Sequence, residues 1–459
     1  MTKFPFQLLI KRASSEKQTE SLTCTALLRA IPGRRQVYDG LWNGRGVIAK
    51  VFSHKISAKR HLKREWRGLT LLQERGLSAP EPVFWGQTED GRWVAVIEKI
   101  ADASTLLEVW NSTTESAKEL ELLLQAGREL AKQHTKGILQ KDLHLGNLLL
   151  GGDRVFALDP GQMRFFSHEV ARKTSISQLA LLACCLPDNN TESTARLCEE
   201  YFRGRGWRLT KSDEVLFQKQ LNVHRKRAVR NVLKKCLRTS KGYVRIKTGK
   251  YVAVFDRSFC QGAEPLDLIE QIDTLMDEGQ ILKKGNTCYV SRIMWNGTDV
   301  AVKRYNHKGF IHSVRHTIKR SRGRHCWLHA HRLSIINIPS AKPLAYIEKF
   351  MGPLIEKSYL VSEYVPGENF SDFLRNNTLG EKRRLAGINC VHDLLAQMEK
   401  HKISHGDLKR RNILITDNKA ILVDLDGMKV HRWKWMYKLR LAKDIERLTS
   451  KGYGGYVRL

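Results

Sequence analysis

The stretch KDLHLGNLLLGGDRVFALDPG, residues 141–161, sets two carboxylates and one carboxamide around short apolar runs. Asn147 follows Asp142 by five residues, and Asp159 follows Asn147 by twelve. The stretch HGDLKRRNILITDNKAILVDLDG, residues 405–427, repeats both spacings with Asp407, Asn412 and Asp424. Because two copies of one spaced triple are hard to attribute to chance, the triple indicates a shared chemistry.

The sequence around the two triples is also duplicated. LWNGRGVIAKVF matches MWNGTDVAVKRY and aligns Lys50 with Lys303. LAKQHTKGILQKD, which ends at Asp142, matches LAQMEKHKISHGD, which ends at Asp407, without a gap. Self-similarity over such lengths indicates two copies of one domain. The predicted domains are residues 1–240 and 241–459.

Each copy shows the same order of elements. Alternating apolar residues around the lysine predict a strand, and a helical stretch follows it. The strand runs WVAVIEKI and YLVSEYVPG come next, and a long amphipathic helix then leads into the triple. We therefore predict an α+β fold with two consecutive protein-kinase-like domains, each with a small β-rich N-terminal lobe and a larger helical C-terminal lobe.

Phosphoryl transfer needs each of these parts. It depends on positioning and on neutralising charge, so it needs a cation on the nucleotide phosphates, oxygen ligands for Mg²⁺ and a carboxylate that accepts a proton. We therefore predict ATP and Mg²⁺ as cofactors. The predicted proton acceptors are Asp142 and Asp407, and the predicted phosphate-binding lysines are Lys50 and Lys303. The predicted metal ligands are Asn147, Asp159, Asn412 and Asp424.

The supporting parts differ between the copies. Glu65 lies fifteen residues after Lys50 on the predicted helix and is expected to pair with it, whereas the aligned residue of the second copy is Cys326. His405 stands two residues before the second proton acceptor, where the first copy has Gln140. Each copy lacks one orienting part but keeps the groups that would touch ATP, Mg²⁺ or the acceptor, so we expect two competent active sites. The predicted hinges beside the nucleotide contain Glu98 and Glu363.

Other segments depart from the kinases that phosphorylate Ser, Thr or Tyr. The candidate nucleotide-covering turns, AIPGRRQVYDG at 30–40 and LKKGNTCYVSR at 282–292, contain no GxGxxG. The metal-binding strand ends in DPG at 159–161 and DLDG at 424–427, where DFG is usual, and no APE segment follows. DLHLGN and HGDLKRRN resemble the catalytic loops of aminoglycoside-phosphotransferase-like and RIO-like kinases.

More closely, most of both halves resembles the bacterial lipopolysaccharide core kinases, the heptose and Kdo kinase family. The resemblance is carried by AVKRY, a Trp sixteen residues before a Pro, VSEYVPG, HGDLKRRNIL and LVDLDGMKVHRWKWMYKLRLAKDIERL. It implies ATP- and Mg²⁺-dependent phosphorylation of a sugar hydroxyl of the inner core, on a core glycolipid or its precursor, at the cytoplasmic face of the inner membrane.

Other functions stay open, because the spacing alone indicates only phosphoryl transfer. One alternative is a kinase for another small molecule or for a protein. Another is a kinase-fold scaffold or binding module in which one or both halves have lost turnover. A basic nucleic-acid binder is a further alternative, although nucleic acid is not the expected partner.

The composition bears on compartment and partner. Lys and Arg number 79 against 47 Asp and Glu, and this net charge of +32 predicts an anionic partner surface. Nine cysteines without a CxxC pair suit a reducing compartment. The N-terminus lacks the apolar run of a secretory signal, so we expect a soluble cytoplasmic chain, peripheral at the inner membrane.

The stretch 429–448 predicts an amphipathic helix, whose apolar face could either lie on anionic lipid headgroups or pack in the core. The residues of this face are Val430, Trp433, Tyr437, Leu441, Ile445 and Leu448. The basic segments 224–235 and 315–325 are interpreted as either acceptor-phosphate sites or solvated faces.

Overall fold

The structure is a computed structural model that describes residues 3–13, 18–31, 33–53, 57–186, 190–285, 288–306, 321–417 and 419–450. The chain divides into two compact units, Met1–Arg225 and Lys226–Leu459. This division falls within the helix Lys211–Lys235, whereas the boundary predicted from the sequence lies after that helix, at residue 240. In both units a strand-rich lobe precedes a more helical lobe, so the predicted α+β class is confirmed.

The small lobe of the first unit is a closed antiparallel barrel. Its strands are β1 (Phe6–Arg12), β2 (Thr19–Ile31), β3 (Arg35–Trp42), β4 (Arg45–Phe52), β5 (Pro82–Thr88) and β6 (Trp93–Glu98). They lie in the order β1-β2-β3-β4-β6-β5, and pairing of β1 with β5 closes the barrel. Val47, Ala49 and Val51 face the apolar interior. Side chains alternate along a strand, so Lys50 faces outward, where helix α1 (Ala58–Glu74) packs.

The larger lobe of the first unit is mainly helical. Its helices are α2 (Leu106–Ser112), α3 (Ser116–Thr135), α4 (Arg172–Leu182), α5 (Thr191–Gly204) and the part of α6 (Lys211–Lys235) up to Arg225. Its short strands are β7 (Ser104–Thr105), β8 (Ile138–Gln140), β9 (Leu148–Gly151), β10 (Arg154–Ala157) and β11 (Met163–Phe165). The helices bury leucine-rich faces in one core, and the β9–β10 hairpin packs beside them.

The small lobe of the second unit is an open seven-stranded antiparallel sheet. Its strands are β12 (Tyr243–Lys247), β13 (Tyr251–Asp256), β14 (Gln280–Lys284), β15 (Cys288–Trp295), β16 (Thr298–Asn306), β17 (Pro343–Met351) and β18 (Leu354–Glu363). They lie in the order β12-β13-β17-β18-β16-β15-β14. Val300 and Val302 pack under helix α7 (Pro265–Glu278). Tyr305 packs on the other face, against helix α8 (Arg322–Ile335).

The helical lobe of the second unit contains α9 (Phe370–Arg375), α10 (Glu381–Lys400) and α11 (Lys434–Thr449). Its short strands are β19 (Glu368–Asn369), β20 (Ile403–Ser404), β21 (Ile413–Ile415), β22 (Ala420–Leu422) and β23 (Lys429–Val430). The strands β21 and β22 form the hairpin that corresponds to β9 and β10 of the first unit.

The helix that follows the strand lysine buries the same positions in both units. In α1 these are Leu62, Glu65, Leu69 and Leu72. In α8 they are Gly323, Cys326, Ala330 and Leu333. The spacing of three and four residues is that of one helix face. It places Glu65 and Cys326 at equivalent points, each facing its own sheet.

Candidate active sites

In the first unit the strand lysine and the helix acid form a buried ion pair. Lys50 Nζ donates to Glu65 Oε1, and the two side chains are only 9% and 5% exposed. Lys50 Nζ also lies 3.7 Å from Asp159 Oδ1. The ammonium is therefore held between two carboxylates that come from a helix and from the end of a strand in the other lobe.

The loops that carry the predicted proton acceptors have the same hydrogen bonds in both units. The side-chain amide of Asn147 donates to the backbone carbonyl of Asp142 at 2.8 Å. Asn412 donates to the backbone carbonyl of Asp407, also at 2.8 Å. The backbone N–H of Leu158 donates to the backbone carbonyl of Asn147 at 3.0 Å. The backbone N–H of Val423 donates to the backbone carbonyl of Asn412 at the same distance. Hydrogen bonds to backbone carbonyls thus connect the predicted base and the two predicted metal ligands.

Beside each predicted proton acceptor lies a basic side chain that was not predicted from the sequence. His144 Nε2 is 3.8 Å from Asp142 Oδ2. Lys409 Nζ is 3.0 Å from Asp407 Oδ1. Each follows its aspartate by two residues, so the signal was present in DLH and DLK. The aspartate side chains are 71% and 43% exposed, which leaves them open to an acceptor hydroxyl.

Asp159 and Asp424 share an unusual backbone conformation. Their φ and ψ angles are 51° and 51°, and 62° and 60°, in the left-handed region that few residues other than glycine adopt. Each ends its hairpin and begins a short 3₁₀ turn. Burial alone would raise the pKa of Asp159, but the charges of Lys50 and Arg35 outweigh burial and lower the pKa below its ordinary value. The Asp159 carboxylate is therefore ionised at neutral pH.

A basic cavity of about 350 Å³ lies beside Asp159. It is bounded by the end of β2 and the start of β3, by the start of α1 and by the 3₁₀ turn after the aspartate. Its basic lining residues are Arg34, Arg35, His61 and Arg64. Arg35 lies 3.6 Å from the Asp159 carboxylate. Guanidinium groups next to a carboxylate that is predicted to bind a metal suit phosphate oxygens.

Parts of both predicted nucleotide-covering turns fall outside the described residues. These parts are residue 32 in the first unit and residues 286–287 in the second.

The lysine of the second unit pairs with two acids of the DLDG segment. Lys303 Nζ donates to Asp424 Oδ1 and lies 3.1 Å from Asp426 Oδ2. Lys283 of β14 is 3.3 Å from Asp424 Oδ2. Burial alone would lower the pKa of Lys303, but the carboxylates of Asp426 and Asp424 outweigh burial and raise it. Asp426 was not among the residues predicted from the sequence, although it stands where the first copy has Gly161.

The loop before the proton acceptor is anchored differently in the two units. His405 Nε2 donates to the backbone carbonyl of Val423 at 3.0 Å, and burial lowers the pKa of this imidazole, which favours the neutral form. Asp444 of α11 accepts the backbone N–H groups of His405 and Gly406, at 2.8 and 3.0 Å. In the first unit, the buried side-chain amide of Gln140 has no hydrogen-bond partner among the described residues. The sequence did contain a signal for Asp444, because an acid on the apolar face of the amphipathic helix α11 needs a buried hydrogen-bond partner.

The two predicted hinge residues occupy equivalent strand ends. Glu98 ends β6 opposite Val47, and Glu363 ends β18 opposite Val300. In both units the strand lysine lies three residues after that valine, and the chain beyond the glutamate enters the helical lobe of the same unit. Contact between these segments and a nucleotide stays a prediction.

The residues of both sites fit a magnesium ion that is shared with a nucleotide. Mg²⁺ prefers oxygen ligands and commonly takes one or two carboxylates together with phosphates and water. One site offers Asp159 with Asn147, and the other Asp424 with Asn412. No group of three or more His, Cys, Asp or Glu side chains suited to a metal occurs in the part of the chain that the structure describes. A bound Mg²⁺ would therefore need further ligands from the nucleotide and water.

Helix α11 buries part of the apolar face for which the sequence left lipid and core as alternatives. Tyr437 and Leu448 are buried, and Ile445 packs partly against the helical-lobe core. These residues are core residues and are not available to lipid. Val430 and Trp433 of the same predicted face are exposed, as are Trp435, Met436 and Leu439 at the start of the helix.

The structure describes one of the two basic segments singled out in the sequence in full and the other only in part. Residues 224–235 lie in α6, whereas residues 315–320 of the other segment lie outside the described residues. No helix in the described ranges combines the length and the apolar character that a membrane span requires.

Comparison with known proteins agrees with this geometry at the level of the family. A search of curated proteins finds no match. The model of the lipopolysaccharide kinase (Kdo/WaaP) family matches residues 30–179 and 273–451. Each matched segment contains one strand lysine, one proton-acceptor loop and one strand-end aspartate, and together the segments cover more than two thirds of the chain. The chain therefore belongs to the lipopolysaccharide kinase (Kdo/WaaP) family, with a kinase-like copy in each matched segment.

Proposed function

We propose that this chain uses ATP and Mg²⁺ to phosphorylate a sugar hydroxyl of the lipopolysaccharide inner core. Its family makes it a kinase with a lipopolysaccharide-related substrate. The observation that carries the proposal further is the repetition of one geometry. Both units hold a lysine, an exposed aspartate, an asparagine and a strand-end aspartate on equivalent elements, with the same asparagine bonds of 2.8 Å.

The residues of each unit divide between the nucleotide and the acceptor. The buried lysine binds phosphate oxygens of ATP, since its ammonium already lies beside the strand-end aspartate. The exposed aspartate, Asp142 or Asp407, accepts the proton of the sugar hydroxyl as the hydroxyl oxygen bonds to the terminal phosphorus and the bond from that phosphorus to ADP breaks. Magnesium, when bound at the strand-end aspartate and the asparagine, supplies positive charge that offsets the charge on the phosphates.

Charge supports an anionic acceptor. The chain carries a net charge of +32, and basic residues line the cavity beside Asp159. The inner core is a phosphorylated glycolipid, so its anionic groups would be attracted to such a surface before the reacting hydroxyl is positioned.

A transfer assay with the purified full-length chain tests the proposal. We expect defined inner-core glycolipids to gain phosphate when incubated with the chain, ATP and Mg²⁺, and to gain none with EDTA. Mass spectrometry of the core reads the result. Phosphate that appears only on a protein or on another small molecule would support the alternative kinase functions. Binding to RNA that falls steeply with salt, without ATP turnover, would indicate a nucleic-acid binder.

We further propose that the chain acts at the cytoplasmic face of the inner membrane, held there by the outer surface of α11. Trp435 and Leu439 lie one helical turn apart and are 63% and 62% exposed, beside Met436. The exposed basic residues around them are Arg432, Lys434, Lys438, Arg440 and Lys443. Exposed aromatic and aliphatic side chains among cations are typical of surfaces that insert shallowly between anionic headgroups.

Vesicle binding tests this location. We expect the full-length chain to bind phosphatidylcholine vesicles that contain phosphatidylglycerol and to bind pure phosphatidylcholine weakly. Lys434→Gln with Lys438→Gln should weaken binding about 30-fold at low salt, since each surface cation contributes about 1 kcal/mol. Leu439→Ser should also weaken binding, whereas Leu385→Ser, at an exposed leucine of α10, should not. Equal binding by all variants would contradict the proposed surface.

A further inference from the structure

The buried lysine of the first unit takes its carboxylate partner from a helix. Glu65 binds Lys50 through one oxygen, and its other oxygen lies 3.4 Å from the backbone nitrogen of Gly161. A Cβ atom at Gly161 would lie 2.9 Å from that oxygen, closer than side chains pack. A second carboxylate at position 161 would therefore require Glu65 to shift from its place beside Lys50.

The second unit exchanges these two positions. Asp426 stands at the position of Gly161, and Cys326 stands at that of Glu65. Lys303 Nζ lies 3.1 Å from Asp426 Oδ2. Cys326 Sγ donates to Asp426 Oδ1 at 2.9 Å. The carboxylate thus comes from the loop, and the helix residue has become one of its hydrogen-bond donors.

Two further neighbours change together with the carboxylate. Tyr305 Oη donates to Asp426 Oδ1 at 2.5 Å, where the first unit has Phe52, which carries no donor. Arg322 Nη2 donates to Asp426 Oδ2 at 2.5 Å, where the first unit has His61. Each oxygen of Asp426 therefore has two donors from the protein, and the residues that supply them all differ from their first-unit counterparts except the lysine.

We propose that Asp426 is the positioning residue of Lys303 and takes in the second unit the place that Glu65 has in the first. This assignment rests on the proposed function, because it concerns the lysine that would bind the phosphates of ATP. It also separates Asp426 from the metal-binding role of Asp424. Four protein donors already occupy the two oxygens of Asp426. The second unit therefore has its orienting carboxylate, on the loop instead of the helix.

An exchange of positions in the full-length chain tests the assignment. The Lys50→Met change silences nucleotide binding by the first unit, so that ATP titrations with Mg²⁺ report on the second. In that parent, Asp426→Asn is expected to raise the dissociation constant for ATP about 10-fold or more, because a misplaced charged contact costs at least that much. Asp426→Gly with Cys326→Glu copies the first unit and should recover most of the affinity. Asp426→Gly with Cys326→Gln places a neutral side chain of the same shape at position 326, so it should not recover the affinity.

The outcomes separate this assignment from the proposed function. A parent that does not bind ATP overturns both. A parent that binds ATP while Asp426→Asn binds it equally well overturns the assignment alone. Loss of Mg²⁺ dependence that Cys326→Glu does not restore would make Asp426 a metal ligand and also overturn the assignment. Thermal melts identify variants that fail to fold.

If the Asp426→Gly variants do not fold, the reverse exchange decides. In a Lys303→Met parent, Glu65→Cys should weaken ATP binding by the first unit, and adding Gly161→Asp should restore part of it. If the doubly changed protein folds but its ATP affinity does not recover, the assignment is overturned.

Discussion

Asp142→Asn is expected to lower phosphoryl transfer by the first unit about 10²- to 10⁴-fold, and Asp407→Asn to do the same in the second, because each removes a positioned general base. Asparagine keeps the size of the side chain but cannot accept the proton of the attacking hydroxyl. The Asp142 side chain is 71% exposed and that of Asp407 is 43% exposed, so the fold should persist. Mass spectrometry of core glycolipid phosphorylated by each variant measures the change.

The matched controls are aspartates in the hairpin turns that follow the same loops. Asp153→Asn in the first unit and Asp417→Asn in the second make the same chemical change at exposed positions and should leave transfer unaltered. If Asp142→Asn or Asp407→Asn gives the wild-type phosphate pattern, the unit that carries it does not catalyse transfer. Our expectation of two competent sites would then be wrong.

Asp159→Asn and Asp424→Asn are expected to remove the Mg²⁺ dependence of ATP binding in their own units. Each replaces the only carboxylate of its predicted metal set by a neutral amide, and each also takes a negative charge away from the adjacent lysine. We expect ATP affinity in the presence of Mg²⁺ to fall at least about 10-fold, since even the loss of an outer-shell partner of a metal ligand costs that much. Calorimetric titrations with Mg²⁺ and with EDTA measure this, in a chain whose other unit is silenced at its lysine.

Two paired aspartates elsewhere in the small lobes serve as controls. Asp39 lies 2.7 Å from Lys99, and Asp299 lies 2.6 Å from Arg292. Asn at either position also breaks an ion pair but should leave Mg²⁺-dependent binding intact. If ATP binding by Asp159→Asn or Asp424→Asn still depends on Mg²⁺ as in the wild type, the metal binds elsewhere.

The sequence sufficed where the geometry of the site is local. Asp142 and Asn147 belong to one loop, and the hairpin of β9 and β10 returns the chain to Asp159, so their spacing alone predicts that they meet. Glu65 was also predictable, because its spacing from the apolar residues of α1 places it on the buried face, next to the strand that carries Lys50.

The tertiary structure was needed where partners come from distant elements. Which apolar residues of α11 are buried depends on how that helix docks, and the docking also brings Asp444 to the backbone of His405. The sequence showed an acid missing from α8, whereas the structure shows that the acid of Lys303 is on another element, 123 residues further along the chain. A buried ammonium pairs with whichever carboxylate can reach it through space. Separation along the chain does not reveal that distance, so only the packed fold could identify Asp426.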